Sequence, residues 1–80
     1  MRNNDLCKAF VKGATEGKGS NMEIVGREIF SYATVIGRFE ANGVLSLNPR
    51  KYSVITSKHQ TYLRRAAEQA GIKYEYNNNF

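Results

Sequence analysis

Hydrophobic and polar positions alternate along this chain with periods that change four times, and each change marks an element. Leu6, Cys7, Phe10, Val11 and Ala14 recur at helical spacing after Asn3-Asn4-Asp5, whose side chains suit helix caps, so a short amphipathic helix opens the chain. The glycine-rich run from Gly13 to Asn21 is too poor in apolar residues for an element and predicts a connector or a binding loop. Met22 to Val25 and Glu28 to Tyr32 are β-prone runs separated by Gly26-Arg27, where glycine at the first loop position suits a type II′ hairpin, with the strand register left open. A second hairpin joins Thr34–Glu40 to Val44–Leu47 through Ala41-Asn42-Gly43. A three-residue loop with Gly43 left-handed pairs Phe39 with Leu45 and Gly37 with Leu47, placing Val35, Phe39, Leu45 and Leu47 on one face and Arg38, Glu40 and Ser46 on the other.

After Pro49 comes the strongest periodic signal: Ile55, His59, Tyr62, Leu63, Ala66, Ala67 and Ala70 line one face of a helix. Ser53, Thr56 and Ser57 are all suitable caps. Ser57 with Gln60 forms a capping box and Gly71 a left-handed stop, so the helix is set at roughly Ser57 to Ala70. Ile72 to Tyr76 alternates as an edge strand, and Asn77 to Phe80 forms a tail with no reason to be ordered. The fold class that follows is α+β: a short N-terminal helix, a small antiparallel β-meander of three to four strands, one long amphipathic helix packed on the sheet, and a C-terminal edge strand that leaves room for a homodimer.

Eighty residues make one domain, and 41% hydrophobic residues with nine aromatics are the composition of a folded chain. A chain of this size buries only about 60% of its unfolded surface, so a binding surface is expected in preference to a deep cofactor pocket. A lone cysteine cannot staple the fold. The absence of an apolar run near membrane-spanning length, and of a basic start followed by an apolar stretch, predicts a cytoplasmic protein with no membrane partner.

Charge sharpens the picture. The chain carries 12 Lys and Arg against 7 Asp and Glu, yet no acidic residue lies between Glu40 and Glu68, where Arg50, Lys51, Lys58, Arg64 and Arg65 are found. The net charge of +5 therefore resides in one third of the sequence, and clustered cations create the field that attracts polyanions. Together with Tyr52 as a stacking ring and the nearby hydroxyls of Ser53, Thr56 and Ser57, these cations suit single-stranded or backbone-directed nucleic-acid binding. The plainer reading leaves the cations solvated and makes Tyr52 an anchor for the helix entry.

Enzyme signatures fail one by one. The run from Gly13 to Gly17-Lys18 has three intervening residues where a phosphate-binding P-loop needs four, and Gly19 stands where a hydroxyl should hold magnesium. Lys18 is kept as an auxiliary phosphate contact, with a flexible linker as the alternative. Cys7 and His59 are too few for a structural zinc site, and both sit on apolar helix faces, where His59 reads as a hydrogen-bonded core histidine. The seven carboxylates show no pair placed for acid–base work. No cofactor and no small-molecule substrate is expected.

The runs Asn4-Asp5-Leu6-Cys7-Lys8-Ala9-Phe10-Val11, Gly17-Lys18-Gly19-Ser20-Asn21-Met22 and Lys51-Tyr52-Ser53-Val54-Ile55-Thr56-Ser57-Lys58-His59-Gln60 resemble a group of small uncharacterised proteins of tailed bacteriophages. The likeness extends to about Arg65. It implies a phage origin and residence in the bacterial cytoplasm during infection, and it carries over no catalytic residue. Two functions are then expected: a non-enzymatic accessory protein binding nucleic acid through Arg50, Lys51, Tyr52, Lys58, Arg64, Arg65 and Lys18, or an inhibitor that binds a host enzyme or defence complex.

Overall fold

A computed structural model describes residues 1–80. The elements run α1 (Asn3–Val11), β1 (Glu16–Lys18), β2 (Met22–Val25), β3 (Glu28–Ser31), β4 (Thr34–Phe39), β5 (Leu45–Leu47), α2 (Val54–Ala70) and β6 (Tyr74–Tyr76). The protein is α+β, with both helices covering one face of a six-stranded sheet in the order β1-β2-β3-β4-β5-β6. The first five strands form an antiparallel meander. After the α2 crossover β6 returns parallel to β5, so the sheet is mixed and larger than the periodicity indicated.

The additional strand is β1, which lies in the glycine-rich run expected to be a connector. Gly17 pairs with Ile24 and turns towards α1, where a β-carbon would stand 2.9 Å from Leu6 Cδ1, so the absence of a side chain is what lets the strand lie under the helix. Both hairpins agree with the sequence reading. Val25 pairs with Glu28 across Gly26-Arg27, and Phe39 pairs with Leu45 and Gly37 with Leu47, with Gly43 at φ 83°. Arg38, Glu40 and Ser46 lie away from the helices and bond to one another, the Ser46 hydroxyl donating to Glu40 Oε2 at 2.7 Å.

One face assignment is corrected. Ile29 pairs with Gly37 but Phe30 pairs with Val35, leaving Ile36 as the extra residue of a β-bulge. The bulge turns Ile36 into the core, 1% exposed, and puts Val35 beside Phe30 on the outer face. Local alternation could not show this, because it assumes an unbroken pleat.

The helices also start earlier than expected. α1 begins at Asn3, inside the run assigned to caps, and Arg2 at its N-cap makes no side-chain capping bond. α2 begins at Val54 because Ser53, in extended conformation, caps it by accepting from Thr56 N at 3.1 Å. Ser57 and Gln60 therefore form no capping box; Gln60 Nε2 instead donates to the carbonyls of Asn48 and Arg50. Ile55, assigned to the buried stripe, is 49% exposed, and Thr56 takes its place by facing Ser31 on β3. Gly71 ends α2 in the left-handed conformation as expected.

Between the layers lie Leu6, Phe10, Ile24, Ile29, Ile36, Leu45 and Leu63, each no more than 2% exposed. Cys7 belongs to the same core, and burial pushes its thiol up to about 12, which keeps it protonated at neutral pH. Leu63 seats α2 on the sheet at Gly37, where a β-carbon would stand 2.6 Å from Leu63 Cδ2 and 3.2 Å from Ile29 Cγ2. No helix is long and apolar enough to cross a membrane. At the C-terminus Asn77 N donates to Leu47 O at 3.0 Å and the Phe80 ring lies 4.6 Å from the Arg38 guanidinium carbon, which ties down a tail whose composition gave no reason for order. Gly37→Ala should lower unfolding stability by about 1–3 kcal/mol through overpacking at the Leu63 seat, read as a reduced urea midpoint.

Candidate nucleic-acid interface

The loop that leads into α2 is organised by Asn48, which is 3% exposed. Its Nδ2 donates to Val35 O and to the Tyr52 hydroxyl, both at 2.9 Å, while its Oδ1 accepts from Arg50 N at 3.0 Å. Gln60 reaches back from α2 to close the loop from the other side. A polar residue of this kind is silent in a hydrophobicity pattern; the Asn48-Pro49 dipeptide, a turn signal, was its only trace in the sequence.

With the loop held in this way, Lys51, Tyr52 and Ser53 line a groove together with α2, which contributes Val54, Ser57, Lys58, Thr61, Tyr62 and Arg65. Its volume is about 620 Å³. Lys58 and Arg65 are seven residues apart, roughly 10 Å along the helix axis. Neither they nor Lys51 enters an ion pair, and no carboxylate lines the groove. Tyr52 is 47% exposed although its hydroxyl is fixed by Asn48.

Four of the seven expected site residues therefore meet in the groove: Lys51, Tyr52, Lys58 and Arg65. Arg64 lies on the other flank of α2, lining a smaller depression of about 220 Å³ with Lys51 and Tyr76, and it is paired with Glu68 at 3.2 Å. That carboxylate is held below its usual range, first by the Tyr74 hydroxyl donating at 2.7 Å and then by Arg64. Arg50 is drawn to the C-terminal tail, where Nη2 donates to Asn78 O at 3.2 Å. Lys18 stands on the far edge strand, opposite Glu23 and on the sheet face turned away from the helices, so the structure does not bring it to the groove. Of the hydroxyls, Ser53 and Ser57 line the groove whereas Thr56 is buried against Ser31. Tyr62, assigned by period to the core, is half-buried and lines the groove, as does Thr61.

Charge is sorted by face. Glu16, Val25, Glu28, Arg38, Ser46 and Glu75 are cross-strand neighbours in a single row on the outer side of the sheet, and Glu23 lies in the next outward row. With Glu40, joined to Ser46, five of the seven acidic residues occupy that side. The groove lies on the helical side, where the cations face solvent without them.

Behind the groove, α2 is locked to the sheet and to α1 by His59, 3% exposed. Its Nδ1 lies 2.6 Å from Ser31 Oγ and its Nε2 3.2 Å from Asn3 Nδ2, while Ser31 Oγ donates to Thr56 Oγ1 at 3.2 Å. This is the hydrogen-bonded core histidine expected from the helical period. The rings of Tyr32 and Tyr62 flank it at 6.3 and 6.4 Å. Burial holds the imidazole pKa below its usual value.

Compared with protein-family models, curated proteins and solved structures, the chain gives no match, so its geometry carries the functional argument.

Unfolded histidine takes up a proton near pH 6.5, whereas folded His59 resists it to lower pH. Stability should therefore be complete above about pH 6.5 and fall as the pH drops below it, before the carboxylates titrate. Urea midpoints across this range check the sign, and a His59→Gln variant should lose the slope.

Proposed function

We propose that this protein binds nucleic acid through the groove between the Lys51–Ser53 loop and α2, as a non-enzymatic accessory protein of a bacteriophage acting in the host cytoplasm. The observation that carries the reading is the convergence of Lys51, Lys58 and Arg65, all without carboxylate partners, on a groove that also contains Tyr52. Unpaired cations neutralise phosphates and release counterions, while aromatic rings add contacts to bases. The acidic outer sheet face supports a single orientation, because it repels a polyanion that approaches from that side. Arg64 and Arg50, already engaged by Glu68 and by the tail, contribute long-range field more than direct contact.

A second reading, an inhibitor of a host enzyme or defence complex, is favoured by one feature of that outer face: Val25, 55% exposed, stands there with Phe30 and Val35 among the carboxylates. A stoichiometric complex recovered at high salt from infected-host lysate would favour it over the first, since charge-driven nucleic-acid binding weakens as salt rises.

Fluorescence anisotropy with labelled single-stranded DNA, duplex DNA and RNA of equal length, titrated at several salt concentrations, tests the first reading. Affinity should fall steeply with salt, each lost phosphate contact reducing the log–log slope by about 0.7–0.9. Lys51→Glu, Lys58→Glu and Arg65→Glu combined should abolish binding while leaving the thermal midpoint unchanged. No binding at low salt, or unchanged binding by the triple variant, refutes it.

A further inference from the structure

The shape of the groove says more about the ligand than its charge does. Proteins that read duplexes project a helix, ribbon or arm into a groove of the nucleic acid, whose major groove is about 12 Å wide and exposes the edges of the bases while stacking hides their faces. Here the cations line a trough with an aromatic ring inside it. The groove is open to solvent, and its volume of about 620 Å³ gives room for one or two nucleotides.

Two further observations point to bases and not to phosphates alone. The first is Tyr52: its hydroxyl accepts from Asn48 while the residue remains 47% exposed, so the side chain is oriented before a ligand arrives and little conformational freedom is lost on stacking. The second is the first turn of α2, where Val54 is 75% and Ile55 49% exposed. Val54 lines the groove itself. Neither exposed side chain serves the core, and apolar groups at the mouth of a cationic groove complement the faces of unpaired bases, whereas phosphates gain nothing from them.

We infer that the groove selects unpaired nucleotides: one base stacks on Tyr52 beside Val54, and the adjoining phosphates are held by Lys51, Lys58 and Arg65. The inference rests on the nucleic-acid reading and narrows it to single strands. The chemistry is common to DNA and RNA, so the probes distinguish the two sources.

The test is anisotropy with four labelled probes of equal length: a DNA strand, the same sequence in RNA, the blunt duplex, and a DNA strand with abasic sites throughout, which keeps the phosphates and removes the bases. One of the two intact single strands should bind at least about tenfold more tightly than both the duplex and the abasic strand, the loss of one stacked base being a change of this order. Tyr52→Ala should lower single-strand affinity by about tenfold or more and bring the intact and abasic strands level, while Tyr52→Phe, which keeps the ring but loses its bond to Asn48, should lose far less affinity and keep the preference for the intact strand. Thermal melting of both variants separates a lost stack from a lost fold.

Equal affinity for duplex and single strand, equal affinity for intact and abasic strands, or full binding by a folded Tyr52→Ala protein would overturn the inference. If in those cases the triple charge reversal still abolishes binding, the nucleic-acid reading stands without the single-strand selectivity. Failure of every probe at low salt overturns both.

Discussion

Everything on the helical side of this protein depends on how closely α2 can approach β4. The approach is set at one point, where Leu63 occupies the space that a side chain at Gly37 would fill. Dispersion and burial at such a contact are steep functions of distance, so a missing β-carbon on the strand fixes the depth of the helix. The His59 cluster then fixes its position around that point. Asn3 from α1 and Ser31 from β3 meet one buried ring, and Ser31 in turn bonds Thr56 of α2; a buried polar cluster tolerates little displacement, because each lost hydrogen bond leaves a desolvated group unpaired.

The groove is a consequence of that placement. Its helical wall is the solvent side of the same turns of α2 that carry Thr56, His59 and Leu63 inward, so the core contacts and the cationic wall are two sides of one rigid element. Its other wall is a loop with no regular structure, which would be mobile without Asn48 and Gln60. Those two side chains satisfy the backbone of the turn after β5 and hold Tyr52 by its hydroxyl. Rigid support on one side and a hydrogen-bonded loop on the other give a preformed surface, in a chain too small to enclose a deep cavity.

Electrostatics follow from topology. Along the sequence the carboxylates are scattered, but five of the seven gather on the outer side because strand alternation and an antiparallel register place them in neighbouring outward rows. Arg38 sits in the middle of this group, bonded to Glu40 at 3.3 Å, 3.9 Å from Glu28, and covered by Phe80. On the helical side Arg64 is paired with Glu68, while Lys51, Lys58 and Arg65 have no carboxylate partner. A modest net charge thus becomes a two-sided distribution, which orients a polyanion more effectively than the same charge spread evenly.

The features legible in the sequence are those whose cause is local. The period of α2, its left-handed stop at Gly71, the register of the hairpin with Gly43, the stripe position of His59 and the acid-free segment with Lys51, Tyr52, Lys58 and Arg65 are all expressed within a few residues, where periodicity and turn chemistry act directly. The folded arrangement set the rest. It made a strand of Glu16–Lys18 because β2 and α1 lay beside it, turned Ile36 and not Val35 inward through a bulge, and began α2 at the Ser53 cap. It also divided the cations, gathering four of the site residues in one groove while sending Arg64 to Glu68, Arg50 to the tail and Lys18 to the opposite face. These outcomes depend on which distant segments become neighbours. A residue's own sequence neighbourhood holds its propensity and its charge, but the partner that uses them comes from elsewhere in the fold.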